Sequence, residues 1–363
     1  MIMITKLKKE LQLIPLIVLF LLLMFLQSLD IAYGQTLPIV YSTRDIFDTN
    51  TGLFSAELPE LSNATTTLGL NGQDCPPEIA IYVHGVWADQ QKAIEEFGRV
   101  DLSVKASRYE IPIVGFSWDS DTPISASGWD TAKQIANANG AFLAFFISDF
   151  KLACPDSEVR LVAHSLGARV VLSALGILNN AELWNERNFK VASVHLLGAA
   201  VDNEKVSKDD QDSTDGIVYG QAIEAQVDNF YNLFNPRDNL LEPRLVPPVY
   251  YPFFEGNLAL GGNGREPGIF EPANYRDINV QYEIPENPDI DRTDADGDSL
   301  CDLPWVYIPP NWACTIALIG DNHKGYIGFR DRGNTLNDFS DDILADDGAM
   351  DLVVDNWKNP IVP

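Results

Sequence analysis

From about residue 77 to 234 the chain alternates strand-length apolar runs with stretches of helical spacing, and this alternation restricts the fold more than any other feature. "EIAIYVHG" (78–85), "IPIVGFSWD" (111–119), "VRLVAH" (159–164), "FKVASVHLLG" (189–198) and "VDNFYNLFN" (227–235) read as buried strands. Helical spacing fills about 88–106, 128–152, the stretch after Ser165 and 215–226. Strands that are apolar on both faces and separated by helices belong to a mostly parallel sheet with right-handed crossovers. "PIVYSTRDIF" (38–47) adds an earlier edge strand, "YRDINVQYEI" (275–284) a late strand and "MDLVVDNWK" (350–358) a final helix. The expected class is α/β, a mostly parallel central sheet with helices on both faces. Residues 35–363 read as a single domain with an acidic insert at about 285–315, since no long linker divides them.

Residues 1–34 have the parts of a secretory signal: Lys6, Lys8 and Lys9, an apolar run from Leu11 to Leu29, and a short "AYG" before Gln35. Left uncut, residues 11–29 would instead attach the chain to a membrane. Either way the folded part is expected to be secreted or at the extracellular surface. Lys and Arg total 25 against 52 Asp and Glu, a formal net charge of −27. Such a surface repels phosphate backbones and anionic lipid, which speaks against nucleic acid as a partner and leaves hard cations as the class that acidity attracts. In an exported chain four cysteines are expected to pair. Cys75 and Cys154 each precede a run read as one of two adjacent strands, so the expected bridges are 75 with 154 and 301 with 314.

Ser165 sits where the period changes, between "VRLVAH" and the helical "LGARVVLSALGIL". A strand-to-helix junction this short needs a sharp, strained turn, with small residues at Ala163 and Gly167 so that strand and helix pass each other. It would lift the hydroxyl above the sheet at a helix N-terminus, where amides favour developing negative charge. Ser165 is therefore a candidate nucleophile.

"YVHGVWAD", "GFSWDSD", "VAHSLGARVV", "NLFNPRDNLL" and "DNHKGY", in that order, resemble the α/β-hydrolase superfamily in its lipase- and esterase-like branch of serine hydrolases. The resemblance spans roughly 77 to 330 and implies a triad running Ser, acid, His along the chain. It makes His84 a scaffold residue of the oxyanion loop and His164 part of the elbow. His195, inside "VASVHLLG", reads as a hydrogen-bonded core histidine, which leaves His323 as the base. Asp238 is the preferred acid, with Asp202 after the preceding strand as the alternative. The amide of Leu166 and that of Val86 or Trp87 would supply the oxyanion hole. The implied activity is cleavage of carboxylic esters, small-molecule or lipid, without an organic cofactor. A peptidase or acyltransferase would use the same triad.

"DADGDSLCD" (294–302) resembles the calcium-binding turns of thrombospondin type 3 repeats. Asp294, Asp296, Asp298 and Asp302, with Asp289 and Asp291 upstream, could converge on a structural Ca2+. A rival of another class follows: a calcium-bound surface or adhesion module on an inactive hydrolase scaffold. Two aromatic features stay open between substrate contact and packing: Trp118-Asp119 and "VPPVYYPFFEGNLALGG" (246–262).

Overall fold

The computed structural model describes residues 38–55, 59–70, 75–238, 240–241, 257–284, 323, 325–331, 343–346 and 348–360. Its centre is β1 (Ile39–Ser42), β2 (Glu78–Val83), β3 (Ile113–Ser117), β4 (Glu158–His164), β5 (Val191–Leu197), β6 (Val227–Phe234) and β7 (Tyr275–Asn279). They form one seven-stranded sheet in the order β1-β3-β2-β4-β5-β6-β7, parallel at every pairing. The helices are α1 (Ala64–Thr67), α2 (Gln90–Ala106), α3 (Ala126–Ala153), α4 (Gly167–Asn179), α5 (Glu182–Glu186), α6 (Gly220–Gln226), α7 (Leu260–Asn263) and α8 (Met350–Lys358).

Each strand residue faces one side of the sheet and its neighbour the other, and the burial follows that rule. Ile79, Ile81 and Val83 of β2, with Leu161 and Ala163 of β4, join a core under α3 and α4. Ala80, Tyr82 and Val162 point the other way, into a core with Phe97 and Val100 of α2 and Val353 and Trp357 of α8. Helices thus cover both faces. The long helices start where polar side chains take up otherwise orphaned amides. Asp89 accepts from Lys92 N (2.8 Å) ahead of α2, and Ser125 accepts from Gly128 N (3.0 Å) ahead of α3.

Two expected elements are shorter than their apolar patterns. The helix expected from 215 begins at Gly220, because Asp215 accepts from Ile217 N (2.9 Å) and from Lys205, fixing a turn there instead. The late strand ends at Asn279, whose side chain accepts from Gln281 N (3.0 Å) and turns the chain. A two-stranded antiparallel sheet, β8 (Phe329–Asp331) and β9 (Ile343–Asp346), was not anticipated. Cys75 and Cys154 are bridged, their Cα atoms 5.7 Å apart at the starts of the paired strands β2 and β4. Cys301, Cys314, the acidic insert and residues 1–34 lie outside the described residues.

Candidate active site

β4 ends at His164 and α4 begins at Gly167, so Ser165 and Leu166 make the whole turn. Ser165 has φ 53°, the left-handed region that a non-glycine residue occupies only when its surroundings hold it there. Those surroundings are visible. Ser165 N donates to Leu197 O (3.0 Å), and Ser165 O accepts from Ala168 N and Ala200 N (both 3.1 Å). A Cβ on Gly167 would stand 2.5 Å from Val83 O, so only glycine fits there. Ala163 is fully buried, and a further tight place lies at Gly85 on the neighbouring β2 loop. A Cβ there would stand 2.9 Å from Ser165 Cβ.

Asp238 lies in the turn beyond β6, where its own N–H donates to Asn235 O (3.0 Å). It is fully buried, and both carboxylate oxygens accept hydrogen bonds. Oδ1 accepts from Leu240 N (3.0 Å) and Leu241 N (3.1 Å), and Oδ2 from His323 Nδ1 (2.6 Å). A carboxylate only accepts, so the proton sits on Nδ1 and Nε2 is left basic. The Tyr326 hydroxyl donates to Gly261 O (3.2 Å). Burial, and then the neighbouring Asp238, push its phenol well above the ordinary value, so it remains protonated. Asp202, the alternative acid, sits in the turn after β5, where its carbonyl accepts from Lys205 N (3.1 Å). The imidazole pairs with Asp238 instead.

His323 also reaches the elbow. A Cβ on Gly198 would lie 3.3 Å from His323 Cε1, and the residue before it, Leu197, is the one that holds Ser165 N. Backbone of the histidine segment is fixed from two sides: His164 Nε2 donates to His323 O (2.8 Å), and Ser103 Oγ of α2 donates to Ile327 O (3.1 Å). Burial, with His323 beside it, lowers the His164 pKa to about 4, so His164 acts as a neutral brace. Among the described residues Ser165 Oγ makes no hydrogen bond. In unliganded sites that contact is often long and tightens with substrate.

The remaining histidines are structural in different ways. Trp118 N donates to His84 Nε2 (3.1 Å), which puts the proton on Nδ1, and Nδ1 donates to Gly85 O (2.8 Å). Trp118 is itself fully buried and stacks on this ring, so it packs under the loop rather than facing a substrate. His195 is a core residue, but among the described residues the expected hydrogen bond is missing: neither ring nitrogen has a partner there. Stacking on Tyr231, with ring centroids 4.6 Å apart, takes its place.

Of the three amides considered for an oxyanion hole, those of Leu166 and Val86 make no hydrogen bond among the described residues. That of Trp87 donates to Ser120 O (2.8 Å), which removes it from the set. The metal candidates Asp289, Asp291, Asp294, Asp296, Asp298 and Asp302 lie outside the described residues, as does most of the aromatic stretch 246–262. Its end is described: Leu260 and Gly261 are buried, and Gly261 O accepts from Asn235 N (2.9 Å), in the turn that carries Asp238.

Residues 65–241 match the model of a family described as "Alpha/beta hydrolase of unknown function (DUF900)". No curated protein matches the chain. Among solved structures, the catalytic core domain of acetyl xylan esterase from Trichoderma reesei is similar at 15% identity and a TM-score of 0.31, over 50% of this chain and 94% of that one. A Trichoderma reesei cutinase in complex with a phosphonate inhibitor is similar at 14% identity and a TM-score of 0.26, over 45% and 67%. TT1662 from Thermus thermophilus is similar at 12% identity and a TM-score of 0.31, over 56% and 82%. A wholly parallel seven-stranded sheet covered on both faces, together with this match over residues 65–241, gives the chain the α/β-hydrolase fold.

Proposed function

We propose that the chain is an exported serine hydrolase that cleaves carboxylic esters through an acyl-enzyme on Ser165. The observation that carries this reading is the buried 2.6 Å Asp238–His323 hydrogen bond beside a serine held at φ 53°. As Ser165 Oγ attacks the ester carbonyl, its proton passes to His323 Nε2, and Asp238 stabilises the imidazolium through Nδ1–H. The carbonyl oxygen becomes an oxyanion received by the amides of Leu166 and Val86. Collapse expels the alcohol, which takes the proton from Nε2. Water then enters by the same route in reverse, giving the acid and free Ser165. Export is supported by the Cys75–Cys154 bridge, which belongs to an oxidising compartment.

The test is hydrolysis of short p-nitrophenyl esters by the purified chain, together with labelling by a fluorophosphonate. Ser165→Ala is expected to abolish both, and the label should map to Ser165. A wild-type chain inert to both reagents would favour a binding module on an inactive scaffold. Turnover that survives in Ser165→Ala would place the chemistry elsewhere.

A further inference from the structure

We propose that Arg44 and Ser120 are positioning residues that hold the Val86 amide ready for the oxyanion. The role rests on the hydrolase reading above but is carried by separate observations. Trp87, directly after Val86, has φ 59°. A tryptophan stays in that region only where its neighbours over-determine it.

Ser120 and Arg44 are those neighbours. Trp87 N donates to Ser120 O (2.8 Å), Ser120 Oγ donates to Ala88 O (2.8 Å), and Ala88 N donates to Ser120 Oγ (3.3 Å). Arg44, from the loop after β1, sends Nη2 to the same Ala88 O (2.7 Å), Nε to Ser117 Oγ (2.8 Å) and Nη1 to Asp121 (3.3 Å). Ser120 is fully buried and the Arg44 side chain is only 10% exposed. The Arg44 loop is anchored in turn, because the Asp119 carboxylate accepts from Asp45 N and Phe47 N (both 2.8 Å).

The result is an uneven distribution of bonds. Both amides after Val86 and the Ala88 carbonyl are engaged, while the Val86 N–H, next to the Gly85–Ser165 contact, is left without an acceptor among the described residues. A donor that is idle in a braced loop needs no reorganisation when charge develops near it. Only a guanidinium offers enough fixed donors to reach a carbonyl, a hydroxyl and a carboxylate at once.

The variants to compare are Arg44→Met, Arg44→Lys, Arg44→Ala and Ser120→Ala, measured for ester kcat and KM, for thermal midpoint and for amide hydrogen exchange at residues 86–89. Loss of kcat of up to about 10²-fold is expected, the effect of misplacing a group by roughly 1 Å, with KM little changed. Trp87 and Ala88 should exchange faster in every variant, and added guanidinium should restore kcat to Arg44→Ala. Unchanged kcat in both Arg44→Met and Ser120→Ala would overturn the proposal, as would a loss that only tracks the folded fraction. If the wild-type chain is inert to esters, the hydrolase reading fails by itself. The brace is then judged on exchange alone, and unchanged protection at Trp87 and Ala88 overturns it.

Discussion

Replacing His195 by phenylalanine tests how far a buried, unpaired imidazole sets the acid limit of this fold. His195 lies within β5, fully buried, and burial followed by the nearby Arg160 charge lowers its pKa to about 3. In the unfolded chain the same group titrates near its ordinary value of about 6.5. Between these values the unfolded state binds a proton that the folded state does not, so stability falls as pH falls through this window and levels off near the folded value. From pH 8 to pH 5 the loss works out at about 2 kcal/mol, and it barely depends on the folded value as long as that lies well below 5. Phenylalanine cannot take up the proton. Any repacking penalty of the larger ring is the same at both pH values, and the carboxylates titrate alike in both chains. Urea unfolding at pH 8 and pH 5, followed by tryptophan fluorescence, should therefore show the variant gaining about 2 kcal/mol on the wild type as pH drops. The variant keeps some acid sensitivity, because burial also lowers His84 and His164 to about 4. Parallel stability profiles for the two chains would refute the picture of a neutral ring sealed in an apolar core.

Asp238→Asn should preserve the fold and KM but lower kcat by about 10⁴-fold, since an amide allows the wrong imidazole tautomer; steady-state kinetics on a p-nitrophenyl ester decides it. Replacing Cys75 and Cys154 by serine opens a link with a sequence separation of 79. By chain entropy this should remove about 4.5 kcal/mol of stability, readable as a lower urea midpoint with a steeper slope, because the freed unfolded chain exposes more surface. A cation held by Asp294, Asp296, Asp298 and Asp302 would make thermal unfolding sensitive to chelation, so an unchanged midpoint in excess EDTA would remove calcium from the acidic insert.

Much of this was legible in the chain because it depends on local pattern. The change of period at Ser165 marks a strand-to-helix junction, and the elbow follows from the shortness of that junction. Order along the chain and elimination among four histidines single out His323, which the structure pairs with Asp238. What the sequence hid are contacts between distant segments. Arg44 meets Ser117 and Ala88 across separations of 73 and 44 residues, and nothing in "YSTRDIF" announces a brace for another loop. The idle nitrogens of His195 were hidden for the opposite reason. An apolar run shows that a residue is buried but not whether a polar neighbour reaches it.

The choice between Asp238 and Asp202 shows why some site residues resist local reading altogether. Both aspartates follow a strand, and both turns suit a buried carboxylate. Sheet order distinguishes them. In a parallel sheet all the C-terminal strand ends share one edge, and Ser165 follows β4 while Asp238 follows β6, two strands away across β5. Neighbouring strands lie about 4.8 Å apart, so two steps leave a gap of roughly 10 Å at that edge. An imidazole with a hydrogen bond of about 2.8 Å at each nitrogen spans most of such a gap. After β5 the chain is already committed to the elbow: Leu197 O and Ala200 N hold Ser165, and the space a side chain at Gly198 would need is filled by the Tyr326 ring with the His323 ring beside it. An acid placed there would compete with those rings for the same room. The aspartate that meets His323 is thus selected by the pairing order of three strands, a property that neither aspartate's neighbouring residues can express.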